Sequence, residues 1–112
     1  MLPQTQSVEI SELEAHLCNA FVDPTRILIL YLLHEAPHNV TELASQMNIP
    51  QPTVSRHLKV LRDHGLVQTA RNGVTITYSI VDDRLIQSLE ILRVVLHDTL
   101  TSKANLMIEQ QA

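Results

Sequence analysis

Residues 51–67, with the sequence QPTVSRHLKVLRDHGLV, constrain the fold more than any other stretch of the chain. Read as a helix, the stretch places Val54, Leu58 and Leu61 on one apolar stripe, because these positions recur at i, i+4 and i+7. Gly65 is placed to end the helix in a left-handed cap. The sequence therefore predicts a short helix with a buried apolar back.

The opposite face of this predicted helix carries Ser55, Arg56 and Lys59, with Thr53 on its flank. Arg and Lys neutralise phosphates or bind guanine, and hydroxyl and amide side chains bond to base edges. Such a face is typical of a DNA-reading helix. An ordinary amphipathic surface helix also has a charged outer face, so this helix alone leaves both interpretations open.

After Gly65 the apolar residues recur with a period of two, which predicts a β-hairpin over residues 66–80. Asn72-Gly73 between the two predicted strands is a strong two-residue hairpin signal. A hairpin directly after a helix-turn-helix is a wing, and Arg71 near its tip can reach phosphates or the minor groove. The alternative is a hairpin that only covers the core.

The sequence predicts three helices before this stretch, over residues 8–21, 25–35 and 39–47. Asp23-Pro24 is typical of a helix start, and Asn39 with Glu42 has the spacing of a capping box. The second helix contains ILILYLL and is apolar almost all round, as expected of a helix buried in the middle of the domain. The third helix and the basic helix, joined by a tight turn, make a helix-turn-helix.

A final helix is predicted to begin at Asp82 and Asp83 and to run to about residue 108. At about 25 residues it is long for a small domain, and its apolar surface is wider than one stripe. We expect the terminal helices to form a homodimer; the alternative is a helix that caps its own chain. The expected interface residues are Leu13, Leu17, Leu89, Leu92 and Leu96.

The net charge of −4 is unfavourable for DNA binding, but the charge is unevenly distributed. Residues 1–50 have a balance of −5 and residues 72–112 a balance of −2. Residues 51–71 have a balance of +3, from four basic side chains against one acidic: Arg56, Lys59, Arg62 and Arg71 against Asp63. Local potential rather than net charge steers a polyanion, so the basic segment is the expected DNA-binding surface.

The length of 112 residues is typical of a single domain, expected over residues 8–112 behind a flexible segment at 1–7. No apolar run approaches the roughly 20 residues of a membrane span, and the first residues lack the pattern of a secretory signal. The single cysteine excludes an internal disulfide. We expect a cytoplasmic protein that has no membrane partner.

The order of these elements, with VTELA at 40–44 and QPTVSRHLKVL at 51–61, closely resembles the ArsR-type winged-helix repressors. The resemblance covers about residues 10–100 and includes DPTR at 23–26. It implies a mainly α (α+β) winged helix-turn-helix: four helices, a β-hairpin wing and a long C-terminal dimerisation helix. It also implies a homodimeric repressor on a palindromic operator in double-stranded DNA, released by a signal that the sequence does not identify.

By the same resemblance, four residues of the recognition helix are the base-reading candidates: Gln51, Thr53, Ser55 and Arg56. His57 lies near them. The expected backbone contacts are Lys59, Arg62 and Arg71. The wing departs from the family pattern, because Val74 and Thr75 follow the tip glycine where many members carry an arginine.

The resemblance does not carry a metal site over to this chain. Asn39 and Thr41 stand where the family's Cys-x-Cys pair would be, and neither supplies a thiolate. Asp83, His97 and Asp98 are a weak set for the zinc site of other members, since zinc needs about four ligands. We therefore expect no metal and no other cofactor.

Cys18 is expected to be a small buried core residue next to Leu17 and Phe21. The alternative is a redox sensor that pairs with its counterpart across the dimer. His16 lies two residues before Cys18, so the two side chains diverge on a helix and do not easily share an ion. His34, His38 and His64 receive no role. An organic effector and no effector at all both remain open.

No nucleophile stands at a suggestive spacing from a base, and the chain has no glycine-rich phosphate loop, so we do not expect an enzyme. The alternative function is a winged-helix protein-interaction module without specific DNA binding. The salt dependence of DNA affinity separates the two, since a DNA reader loses affinity steeply as salt rises.

Overall fold

The computed structural model describes residues 4–111 and contains a winged helix-turn-helix followed by a long helix. Its elements are, in chain order, α1 (residues 4–19), α2 (Pro24–Glu35), α3 (Val40–Met47), α4 (Gln51–Asp63), β1 (Val67–Asn72), β2 (Thr75–Ile80) and α5 (Arg84–Gln111). The chain forms two compact units, the first ending at Val81 and the second beginning at Asp82. The predicted fold, with four helices, a hairpin wing and a long last helix, is confirmed.

Helix α1 begins at Gln4, earlier than the predicted start at residue 8. Its middle, Glu9–Glu14, has π-helical hydrogen bonding between the α-helical segments Gln4–Val8 and Ala15–Asn19. Part of the segment at 1–7 is therefore helical. Residues 1–3 lie outside the described residues, so the flexibility of the segment at 1–7 stays a prediction.

Helix α2 starts as the sequence predicts, with Asp23 as the N-cap and proline in the first turn. The Asp23 carboxylate accepts a hydrogen bond of 2.7 Å from the backbone N–H of Thr25. Ile29 and Leu30 are fully buried, but Leu28 is 57% exposed. The prediction that α2 is buried almost all round is therefore wrong for one of its faces.

Helices α3 and α4 form the helix-turn-helix and bury the predicted apolar stripe. Asn39 and Glu42 close a reciprocal capping box at the start of α3. Asn48 turns the chain between the helices in the left-handed conformation, with φ 54°. Three α4 side chains have no exposed surface, and they confirm the predicted stripe: Val54, Leu58 and Leu61.

The wing follows a left-handed Gly65, with φ +73°, as predicted. Asn72 pairs with Thr75, so the two-residue loop is Gly73-Val74 rather than the predicted Asn72-Gly73. The shift follows from the backbone: Gly73 has φ +64° and Val74 does not have positive φ, a pattern that fits a type II′ turn rather than type I′.

The loop between α2 and α3 anchors the wing to the helices. The backbone N–H of His38 donates to the Tyr78 carbonyl at 3.1 Å, and the Tyr78 N–H donates back at 2.8 Å. His38 is buried, with 8% of the residue exposed, and its ring Nδ1 lies 2.6 Å from the Ala36 carbonyl oxygen. Since that carbonyl can only accept, Nδ1 is the donor. His38, which received no role from the sequence, thus fixes strand β2.

The second unit contains the 28-residue helix α5, about 42 Å long at 1.5 Å per residue. Asp82 precedes the helix and accepts a 2.9 Å hydrogen bond from the backbone N–H of Arg84. The Arg84 side chain and this N–H together lower the pKa of Asp82 to about 2. Among the described residues, no helix is long and apolar enough to cross a membrane.

Candidate nucleic-acid interface

The outer face of α4 presents polar and basic side chains to solvent, on a helix whose back is anchored in the core. Thr53 is half-buried on the flank of this face. The exposed members are Gln51, Ser55, Arg56, Lys59 and Arg62. The structure therefore brings most of the predicted DNA-binding residues onto one surface, which we call the α4 outer face.

Arg56 is oriented by its own helix. Its Nη2 donates to the hydroxyl oxygen of Thr53, three residues earlier, at 3.3 Å. Both side chains were base-reading candidates. Their contact steers the guanidinium toward the N-terminal end of α4, where recognition helices meet base edges.

Lys59 lies in the last half of α4 and pairs with Asp63 at 3.3 Å. Both side chains are more than 60% exposed, so the pair contributes little and is screened by salt. A phosphate can therefore replace the carboxylate as the partner of Lys59.

The wing carries one exposed cation. Arg71 is exposed on β1, where it pairs with Ile76 in the strand register. The tip itself presents Val74, which is completely exposed. Val74 therefore covers no core, and the residues of β2 are half-buried only from Thr77 onward.

His57 differs from its neighbours Ser55 and Arg56 because its side chain contacts α2. Its ring is half-buried, and Nδ1 lies 3.5 Å from Nη1 of Arg26 on α2. The Arg26 Nε donates to the carbonyl of Ala20 at 2.8 Å. Sequence reasoning missed this contact, although Arg26 belongs to the DPTR stretch at 23–26 that carried part of the family resemblance.

A second missed contact joins α1 to the end of α4. The rings of His16 and His64 stack, with centroids 4.8 Å apart. Nδ1 of His64 lies 2.8 Å from the Val60 carbonyl, and its Nε2 is buried with no hydrogen-bond partner among the described residues. The two histidines are 48 residues apart in sequence, so no local pattern pointed to their contact.

Cys18 is exposed, so the expectation of a buried core cysteine is wrong. The side chains at the end of α1 and just after it explain why Cys18 is not buried. Leu17 and Phe21 are half-buried and Ala20 is fully buried, so they occupy the inward positions and Cys18 falls outside them.

The expected interface leucines fall into two groups. Leu17 and Leu89 are half-buried in the single chain. Leu13, Leu92 and Leu96 are each more than half exposed. Their exposure leaves apolar surface on both terminal helices.

The described residues contain no group of three or more His, Cys, Asp or Glu side chains placed to hold a metal ion. The weak set considered from the sequence includes His97 and Asp98, whose side chains are 3.7 Å apart and 74% exposed. They form a solvated pair of neighbours on α5.

Comparison with known proteins assigns the chain to a family. A family model of bacterial regulatory proteins of the arsR family matches residues 23–69. An uncharacterised helix-turn-helix transcriptional regulator of Methanocaldococcus jannaschii is 37% identical over 86 residues, which cover 76% of this chain and 97% of that protein. The transcriptional repressor SmtB of Mycobacterium tuberculosis is 38% identical over 77 residues, which cover 69% of this chain and 57% of SmtB.

A solved structure gives the same result for the fold. Rv0081 of Mycobacterium tuberculosis matches with a TM-score of 0.77 and 32% sequence identity. The match covers 85% of this chain and 96% of that chain.

Proposed function

Since the chain belongs to the ArsR family of bacterial regulatory proteins, which are DNA-binding transcriptional regulators, we propose that it is a homodimeric repressor of a palindromic operator. The observation that carries the proposal is the α4 outer face, a cluster of exposed polar and basic side chains on a helix with a fully buried back. Repression is proposed from the likeness to SmtB, a transcriptional repressor. A regulator of this kind works in the cytoplasm, where it meets its DNA.

The residues of the α4 outer face divide by position. Arg56, steered by Thr53 toward the N-terminal end, reads a base together with Gln51 and Ser55. Three cations further along the chain hold the DNA backbone and carry no sequence information: Lys59, Arg62 and Arg71. This division makes the two groups distinguishable by measurement.

Dimerisation is proposed from the apolar surface of the terminal helices. On α5 alone, Leu92, Leu96 and Leu100 are each more than half exposed at a spacing of four residues. Contiguous exposed apolar surface of this kind marks an interface, and a twofold dimer presents two copies of α4 to the two halves of a palindrome.

The base-reading role is tested by titrating wild type and Arg56→Ala on the duplex upstream of the protein's own gene and on a random duplex. We expect Arg56→Ala to weaken binding to the upstream duplex by about 1–3 kcal/mol and to weaken binding to random DNA much less. Lys59→Ala is the matched control and should weaken binding to both duplexes equally. An equal loss on both duplexes for Arg56→Ala contradicts base reading. A wild type without sequence preference supports the protein-interaction alternative.

The releasing signal is tested in the same titration, with reduced protein, after mild oxidation, with zinc and with a chelator. Cys18 is the candidate for release by oxidation because its thiol is exposed. Loss of binding on oxidation that is absent in Cys18→Ser assigns the signal to this thiol. A DNA affinity that is the same under all four conditions indicates an organic effector or a constitutive repressor.

A further inference from the structure

Arg26 is a half-buried cation on α2, and its side chain reaches the recognition helix α4. Its guanidinium makes two contacts, one to the carbonyl oxygen of Ala20 at 2.8 Å and one to Nδ1 of His57 at 3.5 Å. It is the only lysine or arginine among residues 1–50, and the DNA-binding roles proposed above do not include it.

The charge of Arg26 is balanced by Asp23 at the start of α2. The backbone N–H of Thr25 holds the pKa of Asp23 below its usual range, and the charge of Arg26 lowers this pKa further. The ionised Asp23 carboxylate therefore interacts favourably with the Arg26 guanidinium, which in turn contacts His57.

The contact with Arg26 determines which nitrogen of His57 carries the proton. A guanidinium has only donors, so the nitrogen that faces it must offer a lone pair. Nδ1 of His57 is that nitrogen, and the proton of the neutral ring is then on Nε2. The free nitrogen of His57 is thus a hydrogen-bond donor.

We propose that Arg26 is a positioning residue for DNA recognition: it holds His57 so that Nε2–H donates to a phosphate oxygen at the edge of the α4 outer face. A phosphate is favoured over a base because His57 is half-buried on the side of α4 that faces α2, whereas the base-reading candidates Ser55 and Arg56 are exposed. This inference rests on the proposed DNA-binding function.

The competing role for Arg26 is a direct contact with DNA, and salt dependence separates the two. Each phosphate neutralised by a cation contributes about 0.9 to the slope of log K against log salt. A neutral His57 donor contributes nothing to that slope. Arg26→Ala should therefore weaken binding and leave the slope unchanged, whereas the control Arg62→Ala should reduce the slope by about 0.9 for each phosphate that Arg62 neutralises.

A double-mutant cycle tests whether Arg26 acts through His57. We expect His57→Ala and Arg26→Ala each to weaken binding to the upstream duplex by about tenfold, the effect of losing a hydrogen bond in each protomer. The double variant should bind no more weakly than the weaker single variant. Additive losses, or a reduced salt slope in Arg26→Ala, overturn the proposal.

Nitrogen NMR of the histidine rings in the wild type tests the geometry and needs no substitution. We expect His57 as the Nε2–H tautomer, and a mixture of tautomers in the milder variant Arg26→Gln. An Nδ1–H tautomer in the wild type overturns the proposal even if Arg26→Ala fails to fold. A wild type that shows no preference for the upstream duplex instead refutes the proposed function itself.

Discussion

Replacement of Leu92 by aspartate is expected to separate the dimer into protomers. Leu92 is 53% exposed in the single chain. Burying a whole leucine side chain contributes about 1.5–3 kcal/mol, so covering the exposed half contributes about 1 kcal/mol in each protomer and about 2 kcal/mol in a dimer. Loss of this term alone, as in Leu92→Ala, weakens dimerisation by about thirtyfold. Leu92→Asp also buries an unpaired carboxylate in each protomer, which costs several kcal/mol more.

The assay is the solution mass from sedimentation equilibrium, against a protomer mass of 12.6 kDa. We expect a dimer for the wild type, a concentration-dependent mass for Leu92→Ala and a monomer for Leu92→Asp. The Leu92→Asp variant should also lose binding to the upstream duplex. Gln87→Asp is the matched control, because it makes the same charge change at an exposed position of α5 without removing apolar surface. A Leu92→Asp variant that stays dimeric shows that this face of α5 is not the interface.

Three further substitutions address the helix back, the wing and the start of α5. Leu58→Ala, at a fully buried position, should lower the free energy of unfolding by about 2–5 kcal/mol in urea denaturation; a loss below about 1 kcal/mol would mean that the back of α4 is loosely packed. Arg71→Ala should reduce the salt slope of DNA binding by about 0.9 for each phosphate contact, and an unchanged slope removes the wing from the interface. The pKa of Asp82 is lowered from 3.8 to about 2, so its cap stabilises the folded chain above about pH 4 and is lost as pH falls toward 2. Asp82→Asn should abolish that part of the acid transition in helix content, and a retained transition assigns it to other groups.

The fold was predictable because several independent local signals agree. The Asn39–Glu42 capping box and the left-handed Gly65 mark where helices begin and end, and the structure contains both. The apolar stripe of α4 is buried as its spacing requires. Binary patterning and end signals are short-range, so one sequence is enough to read them.

The sequence was less informative where the outcome depends on contacts between elements. Periodicity placed Cys18 next to an apolar stripe, but which flank of α1 faces inward is decided by its packing, which leaves this thiol exposed. The hairpin loop moved by one residue because strand pairing, rather than the Asn72-Gly73 dipeptide alone, sets the register.

The division of the candidate site is likewise a tertiary property. The resemblance identified the segment of α4 that we propose meets DNA, and most of its candidate residues are exposed. His57 differs from its neighbours because Arg26, 31 residues earlier, lies beside its ring. Spacing along one helix cannot reveal a partner on another.

Whether the α4 outer face reads a specific DNA sequence is tested by a fluorescence-anisotropy titration of the wild type. The probes are the duplex upstream of the protein's own gene and a scrambled duplex of the same composition, each measured over a range of salt concentrations. We expect tighter binding to the upstream duplex at every salt concentration, two protomers per site and affinity that falls steeply as salt rises. Equal affinity for the two duplexes, or no measurable binding to either, would contradict this expectation.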